Sequence, residues 1–73
     1  MRFSVMDRSG DTKQSFDVAT KTGLAEAEAR FKELTGKGFA AIERGENGAP
    51  GTLLRTFNPE AKDVVFQPQL QGG

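Results

Sequence analysis

Apolar residues recur along this chain with two different periods. In Arg2–Arg8 they alternate, with Phe3 and Val5 on one face and Arg2, Ser4 and Arg8 largely on the other, the pattern of a half-buried strand. Ser9-Gly10-Asp11 supplies turn chemistry. Gln14–Val18 then alternates again, with Phe16 and Val18 inward, so a hairpin is expected. The period changes at Leu24, Ala27, Phe31 and Leu34, which fall at i, i+3, i+7 and i+10 and predict a helix over 24–35. Thr22 or Gly23 would be its N-cap, and Gly36 or Gly38 would end it in a left-handed C-cap. Glu26 and Glu28 would lie near the positive end of the helix dipole, and Glu26–Arg30 and Glu28–Lys32 would pair across one turn on a solvated face.

Phe39–Arg44 reads as a third strand. Residues 45–51 hold three glycines and a proline, which is loop composition. A phosphate-binding loop would need a helix behind it, whereas Thr52–Phe57 looks extended, so a hairpin loop is expected. Asn58–Lys62 resembles a cap, a proline at the first helical position and one short turn. Val64–Gln67, two β-branched residues and an aromatic among them, is the final strand, and the donorless Pro68 marks the end of its pairing. The expected fold class is therefore α+β, one helix laid across one face of a mixed sheet. Its expected core is Phe3, Val5, Phe16, Val18, Leu24, Ala27, Phe31, Leu34, Ile42, Leu54, Val64 and Phe66.

Composition narrows the function. Seventy-three residues make one small domain, which buries only about 60% of its unfolded surface and so needs nearly every large apolar side chain inside. Ten basic and ten acidic residues cancel, leaving no field to draw the protein to nucleic acid or a membrane surface. No apolar run has the length of a membrane span and no signal-peptide pattern opens the chain, so a cytoplasmic monomer is expected. The chain has no Cys and no His. It therefore lacks a thiolate nucleophile, the commonest general base and the commonest metal ligand. The expectation is a protein that is not itself an enzyme and holds no cofactor and no metal.

The C-terminal stretch Val64–Gly73 reads V-V-F-Q-P-Q-L-Q-G-G. Two glycines at a terminus arise by chance in about 0.5% of chains, so the tail gains weight only through the element order before it. That order, at this length and ending in Gly72-Gly73, resembles the ubiquitin-like β-grasp family. The resemblance implies a β-grasp domain over 1–68, first and last strands paired in parallel at the sheet centre, and a flexible tail over 69–73. It also implies a protein modifier: an ATP-dependent activating enzyme adenylates the Gly73 carboxylate and passes it to a Cys thioester, and the carboxylate is then conjugated to a target protein through an isopeptide bond. A conjugating enzyme and a deconjugating protease are further implied partners. Gly72 and Gly73 would be the conjugation residues, and Gln69, Leu70 and Gln71 a spacer that the partner enzymes recognise. The tail lacks the arginines that precede the diglycine in ubiquitin, and the 45–51 loop is unlike ubiquitin's. Two alternatives share this sequence: a sulfur carrier of the same superfamily that forms a C-terminal thiocarboxylate, and a non-covalent binding module for which the tail is a frayed end.

Overall fold

The computed structural model describes residues 1–7, 10–45 and 51–68. Strand β1, Arg2–Asp7, turns back into β2, Gly10–Ser15, in an antiparallel hairpin registered from Arg2 opposite Ser15 to Asp7 opposite Gly10. Gly10 takes a positive φ of 115° at the turn, where a side chain would be strained. The second strand thus lies earlier than the 14–18 alternation suggested, and Asp11 belongs to it rather than to the turn. The inward positions of β2 are Thr12 and Gln14, too polar to announce a strand. Phe16 still extends the ladder by one pair, since its N–H donates to the Met1 carbonyl at 2.8 Å. Its ring lies 5.0 Å from that of Phe3, and both Phe16 and Val18 are half-buried against the core from beyond the strand's end. Arg8 and Ser9 lie outside the described residues.

Helix α1 runs over Lys21–Gly36, and its N-cap is Thr20 rather than Thr22 or Gly23. Thr20 has extended backbone angles, and its hydroxyl accepts from the Gly23 N–H at 2.9 Å while donating to the Asp17 carbonyl at 3.0 Å. Starting the helix earlier rotates its inner stripe to Gly23, Ala27, Phe31 and Leu34, which leaves Leu24 half-buried at the margin. Glu26 and Glu28 consequently fall beyond the first turn, which carries no acid. Arg30 turns away from Glu26: its Nη1 pairs with Glu33 at 2.6 Å and its Nε donates to Gln14 Oε1 at 2.9 Å, tying helix to edge strand. The Glu28–Lys32 pair is present at 3.6 Å. Gly38, with φ 98°, makes the left-handed exit, and its N–H donates to Thr35 O.

Strands β3, Phe39–Glu43, and β4, Thr52–Leu54, form a second antiparallel pair, and β5, Asp63–Pro68, closes the sheet. The strand order is β2-β1-β5-β3-β4, with β5 parallel to β1 and antiparallel to β3. The fold is α+β with a β-grasp-like ββαββ arrangement, one helix packed on a five-stranded mixed sheet. Expected β4 residues 55–57 leave the sheet instead, and Phe57 folds back onto Phe31, ring centroids 5.7 Å apart. Asn58 caps the short turn as expected, its Oδ1 accepting from the Glu60 N–H at 3.0 Å. This turn buries Ala61 in the core.

The core gathers on Phe66, whose ring meets Phe3 at 4.8 Å and Phe31 at 5.8 Å, both edge to face. Such pairs add about 0.5–1.5 kcal/mol each beyond the area they bury. Ile42 is not among the core residues. Pairing sets Ala41 opposite Phe66 and Ile42 opposite Val65, so Ala41 faces the helix and Ile42 faces away. A small residue at 41 leaves room for the rings of Phe31 and Phe66. Val65 and Ser4 are also buried, but on the face of the sheet away from the helix. None of the described helices is long and apolar enough to cross a membrane.

Candidate functional site

Gln69, Leu70, Gln71, Gly72 and Gly73, the residues that the sequence singles out, lie outside the described residues. The strand that carries them is well placed. β5 runs between β1 and β3, with Val64, Val65 and Phe66 buried, so its position is held by packing on both faces and pairing on both edges. Exposure begins at Gln67 and Pro68. Because β5 is parallel to β1, it leaves the sheet at the end where the Asp7–Gly10 hairpin turns, and Pro68 pairs with Phe39 at the start of β3. The C-cap of α1, Lys37 and Gly38, immediately precedes that residue. Pairing with β1 last occurs at Phe66, so Pro68 costs the parallel ladder no donor.

The electrostatics at this end are mild. The Arg30 hydrogen bond, with the charges of Lys37 and Arg30 beside it, holds the Glu33 carboxyl below its ordinary value. Glu33 and Lys37 stand 3.6 Å apart in solvent. Among the described residues no group of three or more acidic side chains is placed to hold a metal ion.

A second feature was not signalled by the sequence pattern. The sheet face opposite the helix carries Met6, Val65, Ile42 and Leu53 on four adjacent strands, with Met6 44% and Leu53 55% exposed. Met6, Ile42 and Val65 border a shallow hollow of about 420 Å³ together with Arg44, Gly51 and Gln67. Gly51 is required there, since a Cβ would come within 2.6 Å of Ile42 Cγ2. The signal that could have found this face is apolar residues at both parities of one strand, as in Val64-Val65-Phe66 and Ala41-Ile42.

No protein-family model matches the chain, and neither a curated protein nor a solved structure matches it. The arrangement itself, a β-grasp-like sheet whose central last strand delivers an exposed end, is what the functional reading has to stand on.

Proposed function

We propose that this chain is a ubiquitin-like modifier that acts through the Gly73 carboxylate. One observation carries the reading: the central strand β5, parallel to β1, ends in exposed residues at Pro68, and the sequence continues as Gln-Leu-Gln-Gly-Gly. Five residues span at most about 17 Å when extended, enough to carry a carboxylate into an enzyme's nucleotide site while the sheet stays folded. A carboxylate is a poor electrophile, so the reaction begins with attack of the Gly73 carboxylate on the α-phosphate of ATP, releasing pyrophosphate. A thiolate of the activating enzyme then displaces AMP to give a thioester, and a lysine amine of a target displaces that thiolate to give an isopeptide. The chain supplies no catalytic group, in keeping with its lack of Cys and His. Gly72 and Gly73, without Cβ atoms, fit a narrow channel at any backbone angle the enzyme requires. An ATP-rich compartment, the cytoplasm, suits this chemistry.

The test is ATP–pyrophosphate exchange by activating-enzyme candidates of the native host, with the intact chain and with a variant lacking Gly72-Gly73. Exchange and ATP-dependent higher-mass adducts are expected only for the intact chain. A terminal sulfur-for-oxygen replacement detected by mass would replace the modifier reading with the sulfur carrier. Adducts that persist in the deletion variant, or no exchange at all, would leave a non-covalent binding module.

A further inference from the structure

Among the described residues the sheet has two open edges, and they differ. At the β2 edge, Phe16 N–H donates to Met1 O at 2.8 Å and the Met1 amine donates to Phe16 O at 3.0 Å, so this is a closely bonded pair of the antiparallel ladder. Alternation then turns the backbone N–H and C=O of Asp11, Lys13 and Ser15 outward. That edge is polar, carries a lysine, and is tied to α1 through Gln14 and Arg30, features that discourage strand addition.

The β4 edge has the opposite character. Arg44 N–H donates to Asp63 O at 3.0 Å, so Arg44 and Ile42 turn their backbone groups toward β5, and Ala41 and Glu43 turn theirs toward β4. Ala41–Leu54 and Glu43–Thr52 are thus the bonded pairs, and Leu53 turns both its N–H and its C=O away from β3, with no partner among the described residues, beside a side chain that is 55% exposed. β4 stops opposite Ala41, two residues short of the start of β3. The space it leaves is a groove of about 360 Å³ lined by Thr35, Phe39, Ala40, Leu53, Leu54 and Arg55. Arginines flank it. Arg55 is exposed and takes part in no ion pair among the described residues. Exposed Arg44 lies at the other end of β4, opposite Gly51 when the register is extended by one residue, and borders the same hollow as Gly51.

We infer that β4 is a docking edge for an extended acidic–apolar segment of a partner protein, which adds as a sixth strand antiparallel to β4. The side-chain period of two sets the recognition pattern: an apolar residue against Leu53, and a carboxylate two residues to each side of it, one toward Arg55 and one toward Arg44. Charge selects this occupant over a second copy of the chain. Edge-to-edge pairing of two copies would bring four arginines to one seam without a carboxylate among the outward residues Gly51, Leu53 and Arg55. The inference is independent of the modifier reading, and removal of Gly72-Gly73 leaves it unchanged.

The test is titration of the ¹⁵N-labelled full chain with the peptide acetyl-Ser-Asp-Val-Ile-Val-Asp-Ser-amide. Amide shifts are expected at Gly51–Arg55 and Phe39–Ala41, with slowed hydrogen exchange at Leu53. A peptide with both Asp replaced by Lys should bind the same intact chain at least tenfold more weakly. Leu53→Lys and Arg55→Glu should each weaken the acidic peptide at least tenfold, whereas Lys13→Glu should leave it unchanged. Arg55→Glu should regain affinity for the Lys peptide. Absence of shifts at millimolar peptide, shifts centred on Gly10–Ser15 or on Met6 and Val65, equal binding of the two peptides, or self-association through Leu53 seen by sedimentation without peptide would each overturn the assignment.

Discussion

Replacing Gly23 by alanine sets two effects on one helix against each other. Glycine in a helix interior is worse than alanine by about 1 kcal/mol, so propensity alone favours the substitution. The local structure opposes it. A Cβ at Gly23 would overlap the Asp17 carbonyl oxygen, sit 2.7 Å from its carbon and lie 2.9 Å from Thr20 Oγ1. Those atoms are backbone or capping atoms, and relief requires moving the segment that holds the N-cap. Losing the Thr20 cap costs about 1 kcal/mol, and forcing one extra methyl into a packed site costs about 1–3 kcal/mol. The net expectation for Gly23→Ala is a loss of about 1–3 kcal/mol. Gly36, in the last turn of the same helix, has no atom within 4 Å of its would-be Cβ, so Gly36→Ala should gain up to about 1 kcal/mol. Thermal unfolding separates them, because 1 kcal/mol moves Tm by about 4–8 °C in a domain this small. Gly23→Ala should fall and Gly36→Ala should hold or rise. A Gly23→Ala variant as stable as the parent would refute the close approach of α1 to Asp17.

Phe31→Ala, which removes a ring touching both Phe57 and Phe66, should cost about 3–5 kcal/mol in chemical denaturation, while Glu28→Ala should stay within about 0.5 kcal/mol. Glu33 is held below its ordinary pKa by Arg30 and Lys37, so its contribution is present above the unfolded value near 4.5 and is lost as pH falls through the folded value. Parent and Glu33→Gln should therefore differ in midpoint at pH 7 and converge in acid, and a gap that widens in acid would reverse the sign of this argument.

The pattern made the scaffold legible where one face was apolar and the other polar. Phe3 and Val5 marked β1, the spacing of Ala27, Phe31 and Leu34 marked α1, and Val64 with Phe66 marked the strand that pairs in parallel with β1. It misled where that contrast was absent. β2 has no large apolar residue, so the nearby Phe16 and Val18 drew the strand past its true end. In Phe39–Glu43 size points to Ile42 as the inward residue, yet rings from the helix and β5 occupy that volume and favour Ala41. The helix start was hidden because Thr20 and Thr22 are equally good caps, and only the tight packing of Gly23 on Asp17 distinguishes them. The tail offers residue types alone and lies outside the described residues, and the β4 edge needed the register.

The central position of β5 also governs how the chain can be made. Its neighbours, β1 and β3, begin 61 and 24 residues earlier, as the starts at Asp63, Arg2 and Phe39 show. During synthesis the β1–β2 and β3–β4 hairpins therefore emerge as two ribbons that share no hydrogen bond, each with an unpaired edge and half a core. Ordering waits for the last element, and closure over such sequence separations is slow. A nascent chain paused before Asp63 is a substrate for chaperones and proteases rather than a nearly finished domain. The strand whose exposed end at Pro68 leads into the C-terminal residues is thus also the one that completes the sheet, so that end is placed only when folding is complete.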